Sequence, residues 1–91
     1  MPTVHLEVVG KVQGVGFRWF VREAARRVGL AGWVRNRENG MVEIAASGSE
    51  HAIAELVSAA RVGPPGARVD RVGELPSDGL DELPRPFAVL R

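Results

Sequence analysis

Residues 10–18 read Gly-Lys-Val-Gln-Gly-Val-Gly-Phe-Arg, and the pattern of apolar residues changes across this stretch. Before it, residues 3–9 alternate between apolar and polar side chains, which predicts a half-buried strand. After it, apolar residues recur at helical spacing over residues 17–28, with charged residues on the opposite face. The stretch is therefore a glycine-studded loop that joins a strand to a helix, and Gly29 is the predicted end of that helix.

The rest of the chain predicts five further elements and a connector. They are strands at residues 32–37, 41–46, 67–75 and 87–90, a second helix that ends at residues 63–66, and a polar connector at residues 76–86. The Asn-Gly pair at residues 39–40 supplies the positive φ angles that tight hairpins need. Ser47 or Ser49 can cap the second helix. Val69 and Val72 differ in parity, so the fourth strand contains a bulge or ends early.

The order of these elements predicts the fold. Strand, helix, strand, strand, helix and strand, followed by a short terminal strand, is typical of an α+β, ferredoxin-like two-layer α/β sandwich. We expect an antiparallel sheet with both helices on one face. A chain of 91 residues is long enough for one such core, so residues 1–91 are expected to form a single domain.

The composition excludes several kinds of site and partner. There is no cysteine, which rules out a disulfide, a thiolate zinc site and a cysteine nucleophile. The net charge is only +1, unlike the broad positive field of a nucleic-acid-binding protein. No apolar run is long enough to span a bilayer, and the first residues do not resemble a signal peptide. We expect a cytoplasmic, metal-independent monomer without a cofactor, bound to neither nucleic acid nor membrane.

The glycine loop has the features of an anion site. The start of a helix leaves N–H groups without partners and carries a partial positive charge. Gly14 and Gly16 allow the backbone to curl into a concave nest of amides, and the guanidinium of Arg18 matches phosphate oxygens. Two nucleotide motifs are absent: no Lys-Ser or Lys-Thr follows the second glycine, and Trp19 occupies the place of the third dinucleotide glycine. From this chemistry alone, an anion site and a plain glycine turn are equally good interpretations.

Two motifs resemble the acylphosphatase family. Residues 10–18 match its signature Gly-x-Val-Gln-Gly-Val-x-Phe-Arg at every specified position. Residues 32–42 match Gly-Trp-Val-x-Asn followed by Gly-x-Val, and the resemblance extends over roughly residues 4–72. It implies an open-faced α/β sandwich that hydrolyses small acyl phosphates to carboxylate and phosphate. It also implies that Arg18 binds the phosphoryl group and that Asn36 positions the attacking water.

The residues suit this reaction. The leaving carboxylate has a conjugate acid of pKa about 4, so it departs without a proton from the enzyme. Phosphoryl transfer then depends on positioning and on stabilising negative charge. Asn36 shares a strand face with Val34, on the side expected to carry the helices. It can orient water but cannot act as a base, so we hypothesise that the substrate phosphate takes the proton. The expected phosphate-binding residues are Gln13, Gly14, Val15, Gly16, Phe17 and Arg18.

The other polar and aromatic residues are assigned to structure or solvent. His5 and His51 are expected to be solvated, and Trp33 is assigned to packing. A basic helix face is also expected to be solvated, and it consists of Arg22, Arg26 and Arg27.

Three other functions are compatible with the predicted fold. A ferredoxin-like sheet can bind RNA by stacking bases on strand aromatics, but Trp33 is the only aromatic residue of the central strands. The domain can instead bind anions without turnover, which the sequence leaves open. It also resembles a domain of a larger carbamoyl-transfer maturation protein, and the small chain without cysteine or a second domain favours the free-standing enzyme.

Overall fold

Five strands and two helices follow one another in this computed structural model, which describes residues 2–91. They are β1 (Thr3–Lys11), α1 (Phe17–Arg27), β2 (Ala31–Asn36), β3 (Val42–Ser47), α2 (Glu50–Val62), β4 (Arg68–Leu75) and β5 (Ala88–Val89). Their order is the predicted one, and the ferredoxin-like α+β fold is confirmed. No helix in this part of the chain combines the length and the apolar character needed to cross a membrane.

The sheet has the strand order β4-β1-β3-β2-β5. Neighbouring strands are antiparallel except β2 and β5, which are parallel, so the predicted antiparallel sheet is wrong at this edge. The reason is the route of the connector at residues 76–86. It passes the end of the sheet where β1 and β2 begin, beside Thr3 and Ala31. The chain therefore enters β5 from that end and runs in the same direction as β2, towards Asn36.

The core lies between the sheet and the two helices. On the central strands, Val8, Val34 and Ile44 are completely buried, in agreement with the predicted alternation. From the helices, Phe17 and Leu56 join the same cluster. Burying a side chain of this size stabilises the fold by about 1.5–3 kcal/mol. The first residue of α1 is thus part of the core, which fixes the start of this helix against the sheet.

Local interactions settle two of the predicted connections. Ser49 rather than Ser47 caps α2, because its Oγ accepts a hydrogen bond from the amide of Ala52 at 3.0 Å. The turn between β2 and β3 is wider than a two-residue hairpin: Gly40 has a φ of 89°, whereas Asn39 has no positive φ. The side-chain oxygen of Asn39 instead accepts a hydrogen bond from the amide of Met41 at 3.1 Å, which stabilises the wider turn.

A bulge interrupts β4, as the parity of Val69 and Val72 predicts. Val9 pairs with Arg71 and Gly10 with Val69, so the residue between them is left unpaired. Gly10 is required at this point. Its φ is 142°, and a Cβ there would lie 2.1 Å from the carbonyl oxygen of Arg68. The strand that leads to the loop therefore bends where the bulge is located.

The face of the sheet opposite the helices carries a buried carboxylate, Glu43, which is 4% exposed. It is paired with His5 and, at 2.8 Å, with the Nε of Arg35. The solvated position predicted for His5 is therefore wrong. The reason is the small Ala45, which lies next to both His5 and Trp33 in the strand register and leaves room for the two rings to meet. His51 is exposed, as predicted.

Candidate active site

The loop between β1 and α1 owes its shape to two glycines. Gly14 and Gly16 both have a φ of 77°, in the left-handed region that other residues rarely adopt. A Cβ at either position would meet no atom within 4 Å. The backbone conformation, rather than lack of space, therefore requires glycine here. Left-handed residues that alternate with ordinary ones turn successive amides towards one side, which is the geometry of an anion-binding nest.

The amides of this loop are unused. Among residues 2–91, none accepts a hydrogen bond from the backbone N–H groups of residues 13–16. Gly16 is the N-cap of α1 and provides no side-chain oxygen to satisfy the first turn. No acidic residue occupies that turn. The loop thus presents free N–H donors at the positive end of a helix, where a bound anion is stabilised.

Gln13 connects this loop to the turn between β2 and β3. Its Nε2 donates hydrogen bonds to the carbonyl oxygens of Arg37, at 2.8 Å, and Met41, at 3.0 Å. Both acceptors lie just beyond the strand ends where Asn36 pairs with Val42. One carboxamide therefore holds the glycine loop beside the strand that carries Asn36.

A cavity of about 480 Å³ lies between the loop, the first turn of α1 and the end of β2. Of the predicted site residues, Gly14, Gly16, Phe17, Arg18 and Asn36 line this cavity, and Gln13 and Val15 do not. Val15 instead packs against the core.

The two polar side chains expected at the site share this cavity. The Nη1 of Arg18 donates a hydrogen bond to the carbonyl oxygen of Leu90 at 3.2 Å, which steadies the guanidinium. In the described part of the chain, the carboxamide of Asn36 makes no hydrogen bond. Its donor and acceptor are therefore both available to a bound molecule.

The C-terminal segment forms part of the cavity wall, and the sequence analysis did not predict this contribution. Ala88, Val89 and Arg91 contribute to its wall, because β5 brings the chain back beside β2. Arg26 fastens this segment to α1, since its Nε donates to the carbonyl oxygen of Phe87 at 2.9 Å.

The solvated helix face predicted for Arg22, Arg26 and Arg27 is correct for Arg26 and Arg27, which are both exposed, whereas Arg22 is half-buried. Arg22 and Arg26 also line the cavity, which was not predicted. Arg18, Arg22 and Arg26 are spaced by four residues, so they form one row along α1. That spacing was visible in the sequence and is the signal that could have placed Arg22 and Arg26 with Arg18.

The cavity is strongly positive. Four arginines line it, namely Arg18, Arg22, Arg26 and Arg91, and no Asp or Glu is found among its described lining residues. Such a wall attracts anions and raises their local concentration. No group of three or more His, Asp or Glu residues that could hold a metal ion occurs within residues 2–91.

The family model for acylphosphatase matches residues 4–88. This chain belongs to the acylphosphatase family. Among curated proteins, it is 48% identical over 79 residues to the acylphosphatase of Thiobacillus denitrificans, covering 87% of this chain and 89% of that protein. It is 45% identical over 85 residues to the acylphosphatase of Bifidobacterium longum, covering 93% and 88%. The family and these relatives identify the chain as an enzyme, a hydrolase of the acylphosphatase class.

Solved structures agree with this family assignment. The acylphosphatase of Bacillus subtilis superposes with a TM-score of 0.91 and 41% identity, covering the whole of both chains. A second match is to HypF of T. kodakarensis, with a TM-score of 0.78 and 35% identity. It covers 98% of this chain but 12% of that one. The acylphosphatase fold thus also occurs as a small part of a much longer protein.

Proposed function

We propose that this acylphosphatase-family enzyme hydrolyses the carboxyl–phosphate bond of small acyl phosphates, giving a carboxylate and inorganic phosphate. The observation that carries the proposal is the shared cavity, which is lined by Gly14 and Gly16 with their unused amides, by Arg18 and by Asn36. Each of these groups suits one requirement of the reaction, and the surrounding arginines favour an anionic substrate.

The phosphoryl group is held by the loop and by Arg18. The free amides of residues 13–16 and the start of α1 supply several N–H donors to its oxygens. The guanidinium of Arg18 adds two parallel donors and a full charge. Because Arg18 is already bonded to Leu90, little conformational freedom is lost when the substrate binds. These donors also stabilise the charge that spreads over the phosphoryl oxygens in the transition state.

Asn36 orients the water that attacks phosphorus. Its free carboxamide can accept a hydrogen bond from this water and so fix the direction of the attacking oxygen. The new P–O bond forms as the bond to the acyl oxygen breaks, and the electron pair of that bond leaves with the carboxylate. A carboxylate of conjugate-acid pKa about 4 needs no proton at neutral pH. The proton lost by the attacking water passes to an oxygen of the phosphate.

Hydrolysis of benzoyl phosphate by the purified protein, with a chelator present, tests the proposal. We expect turnover that the chelator leaves unchanged. We expect Arg18→Lys to lose at least about a hundredfold in kcat/KM, because a lysine cannot supply two parallel donors. Arg61→Lys is the matched control, since Arg61 is exposed in the last turn of α2, and its rate should equal that of the wild type. Normal turnover by Arg18→Lys would contradict the assigned role.

A further inference from the structure

An exposed tryptophan stands at the cavity. Trp19 follows Arg18 in the first turn of α1, lines the cavity and remains 60% exposed. An indole left in water forfeits the stabilisation that its burial would give, and nothing in the core of this fold uses the ring. Ligand pockets are lined largely by hydrophobic and aromatic side chains, so an indole in the wall of this cavity is placed to contact a bound molecule.

Arg22 holds this indole in one orientation. Its guanidinium carbon lies 4.3 Å from the centre of the Trp19 ring, a cation–π stacking distance. The Nη1 of Arg22 also donates to the Oε2 of Glu23 at 2.6 Å, which fixes the guanidinium in turn. One face of the indole is thus covered, and the remaining exposure lies on the opposite face and the ring edges. A ring held in this way offers a flat surface that needs little ordering when a ligand stacks on it.

The cavity has room beyond the phosphate. At about 30 Å³ for each water-sized atom, a phosphate of five heavy atoms fills on the order of 150 Å³. The cavity volume is about 480 Å³. The same cavity is also lined by Trp19 and by the apolar Ala88 and Val89. The acyl part of the substrate therefore has space beside an aromatic and apolar wall.

We infer that Trp19 is a specificity-determining residue that stacks on the acyl group, so the enzyme favours aromatic acyl phosphates over small aliphatic ones. This inference rests on the proposed function. Beside the indole, the guanidinium of Arg22 is stacked on the ring and paired with Glu23. The remaining indole surface is flat and apolar, so it suits a planar aromatic acyl group better than a small aliphatic one.

The test compares benzoyl phosphate with acetyl phosphate in the wild type and in Trp19→Ala. We expect the ratio of the two kcat/KM values, benzoyl over acetyl, to fall about three- to tenfold in the variant, as for the loss of one aromatic contact. The kcat/KM for acetyl phosphate and the inhibition constant of inorganic phosphate should stay within about twofold of the wild type. Trp19→Phe, which keeps a ring, should retain most of the ratio.

Val62→Ala is the matched control, because Val62 is an exposed apolar residue of α2 that does not line the cavity. Its ratio should equal that of the wild type. An unchanged ratio in Trp19→Ala, or an equal loss for both substrates, would overturn the inference while leaving the proposed function intact. Wild-type protein that hydrolyses neither compound would overturn the proposed function, and this inference with it.

Discussion

At the scale of single residues, Asn36 gives the sharpest prediction. Its carboxamide faces the cavity from the last position of β2 and has no partner among the described residues. If it orients the attacking water, Asn36→Ala should lower kcat on the order of a hundredfold, the usual cost of one oriented donor or acceptor in a transition state. The inhibition constant of inorganic phosphate should change by less than about twofold, because the loop and Arg18 still hold the anion. Steady-state kinetics with phosphate as a competitive inhibitor measure both quantities.

Asn39→Ala is the control for this prediction. Asn39 lies in the same turn, but its side chain accepts a hydrogen bond from the amide of Met41 and does not line the cavity. Losing that bond should cost about 1 kcal/mol of stability and leave kcat nearly unchanged. If Asn36→Ala weakened phosphate binding and kept kcat, Asn36 would be a phosphate ligand rather than the residue that orients water.

At the scale of elements, Gln13 joins the loop to the turn between β2 and β3. Gln13→Ala removes two neutral hydrogen bonds and should lower the free energy of unfolding by about 1–2 kcal/mol. Because the loop and Asn36 then lose their common support, we expect kcat/KM to fall by about tenfold as well. Urea unfolding and acyl phosphate hydrolysis measure the two effects.

Gln13→Glu tests whether the loop is held by the two hydrogen bonds that Gln13 donates or only by the volume of its side chain. A carboxylate has the same shape but no hydrogen to donate, so it would place negative charge against the carbonyl oxygens of Arg37 and Met41. It should therefore be at least as harmful as Gln13→Ala. Full activity in a destabilised Gln13→Ala protein would mean that the two bonds stabilise the fold without shaping the loop.

The sequence predicted elements well wherever the signal is local. Alternation identified the half-buried strands, helical spacing identified α1, and the differing parity of Val69 and Val72 indicated the bulge. The tight hairpin predicted at residues 39–40 was wrong, because the side-chain oxygen of Asn39 accepts the hydrogen bond of the Met41 amide. Turn type depends on such competition, which an Asn-Gly pair alone does not decide.

At the scale of the whole molecule, the features that were missed depend on distant contacts. The parallel pairing of β5 with β2 follows from the path of a connector that has no periodic pattern. The same path brings Ala88 and Val89 to the cavity and gives Arg18 and Arg26 their carbonyl partners. Motif matching found Arg18 and Asn36, which are close to conspicuous glycines. It did not find Arg22 or Trp19, whose position in the site depends on the folded cavity.

The buried carboxylate of Glu43, on the face of the sheet opposite the helices, makes the stability of the fold depend on pH. Burial raises the pKa of Glu43, but hydrogen bonds from His5 and Arg35, together with their charges, outweigh burial and hold the pKa below its ordinary value of 4.5. Glu7 lies opposite Glu43 in the register of β1 and β3 and is itself paired with Arg71 at 3.4 Å. The unfolded chain therefore takes up a proton on Glu43 at a higher pH than the folded chain does. The stability that Glu43 supplies is complete above its ordinary pKa and is lost as the pH falls through the lower folded-state pKa.

Glu43→Gln should therefore destabilise the protein in a pH-dependent way. At pH 7 we expect a loss of about 1–3 kcal/mol in the free energy of unfolding, the usual range for hydrogen bonds to a charged group. The difference from the wild type should shrink as the pH falls below 4.5, because the wild-type carboxyl then becomes neutral as well. Urea unfolding from pH 7 to pH 3 measures it, with Glu74→Gln as an exposed control whose effect stays within about 0.5 kcal/mol throughout. A loss that is independent of pH would mean that packing around residue 43, rather than its charge, supplies the stability.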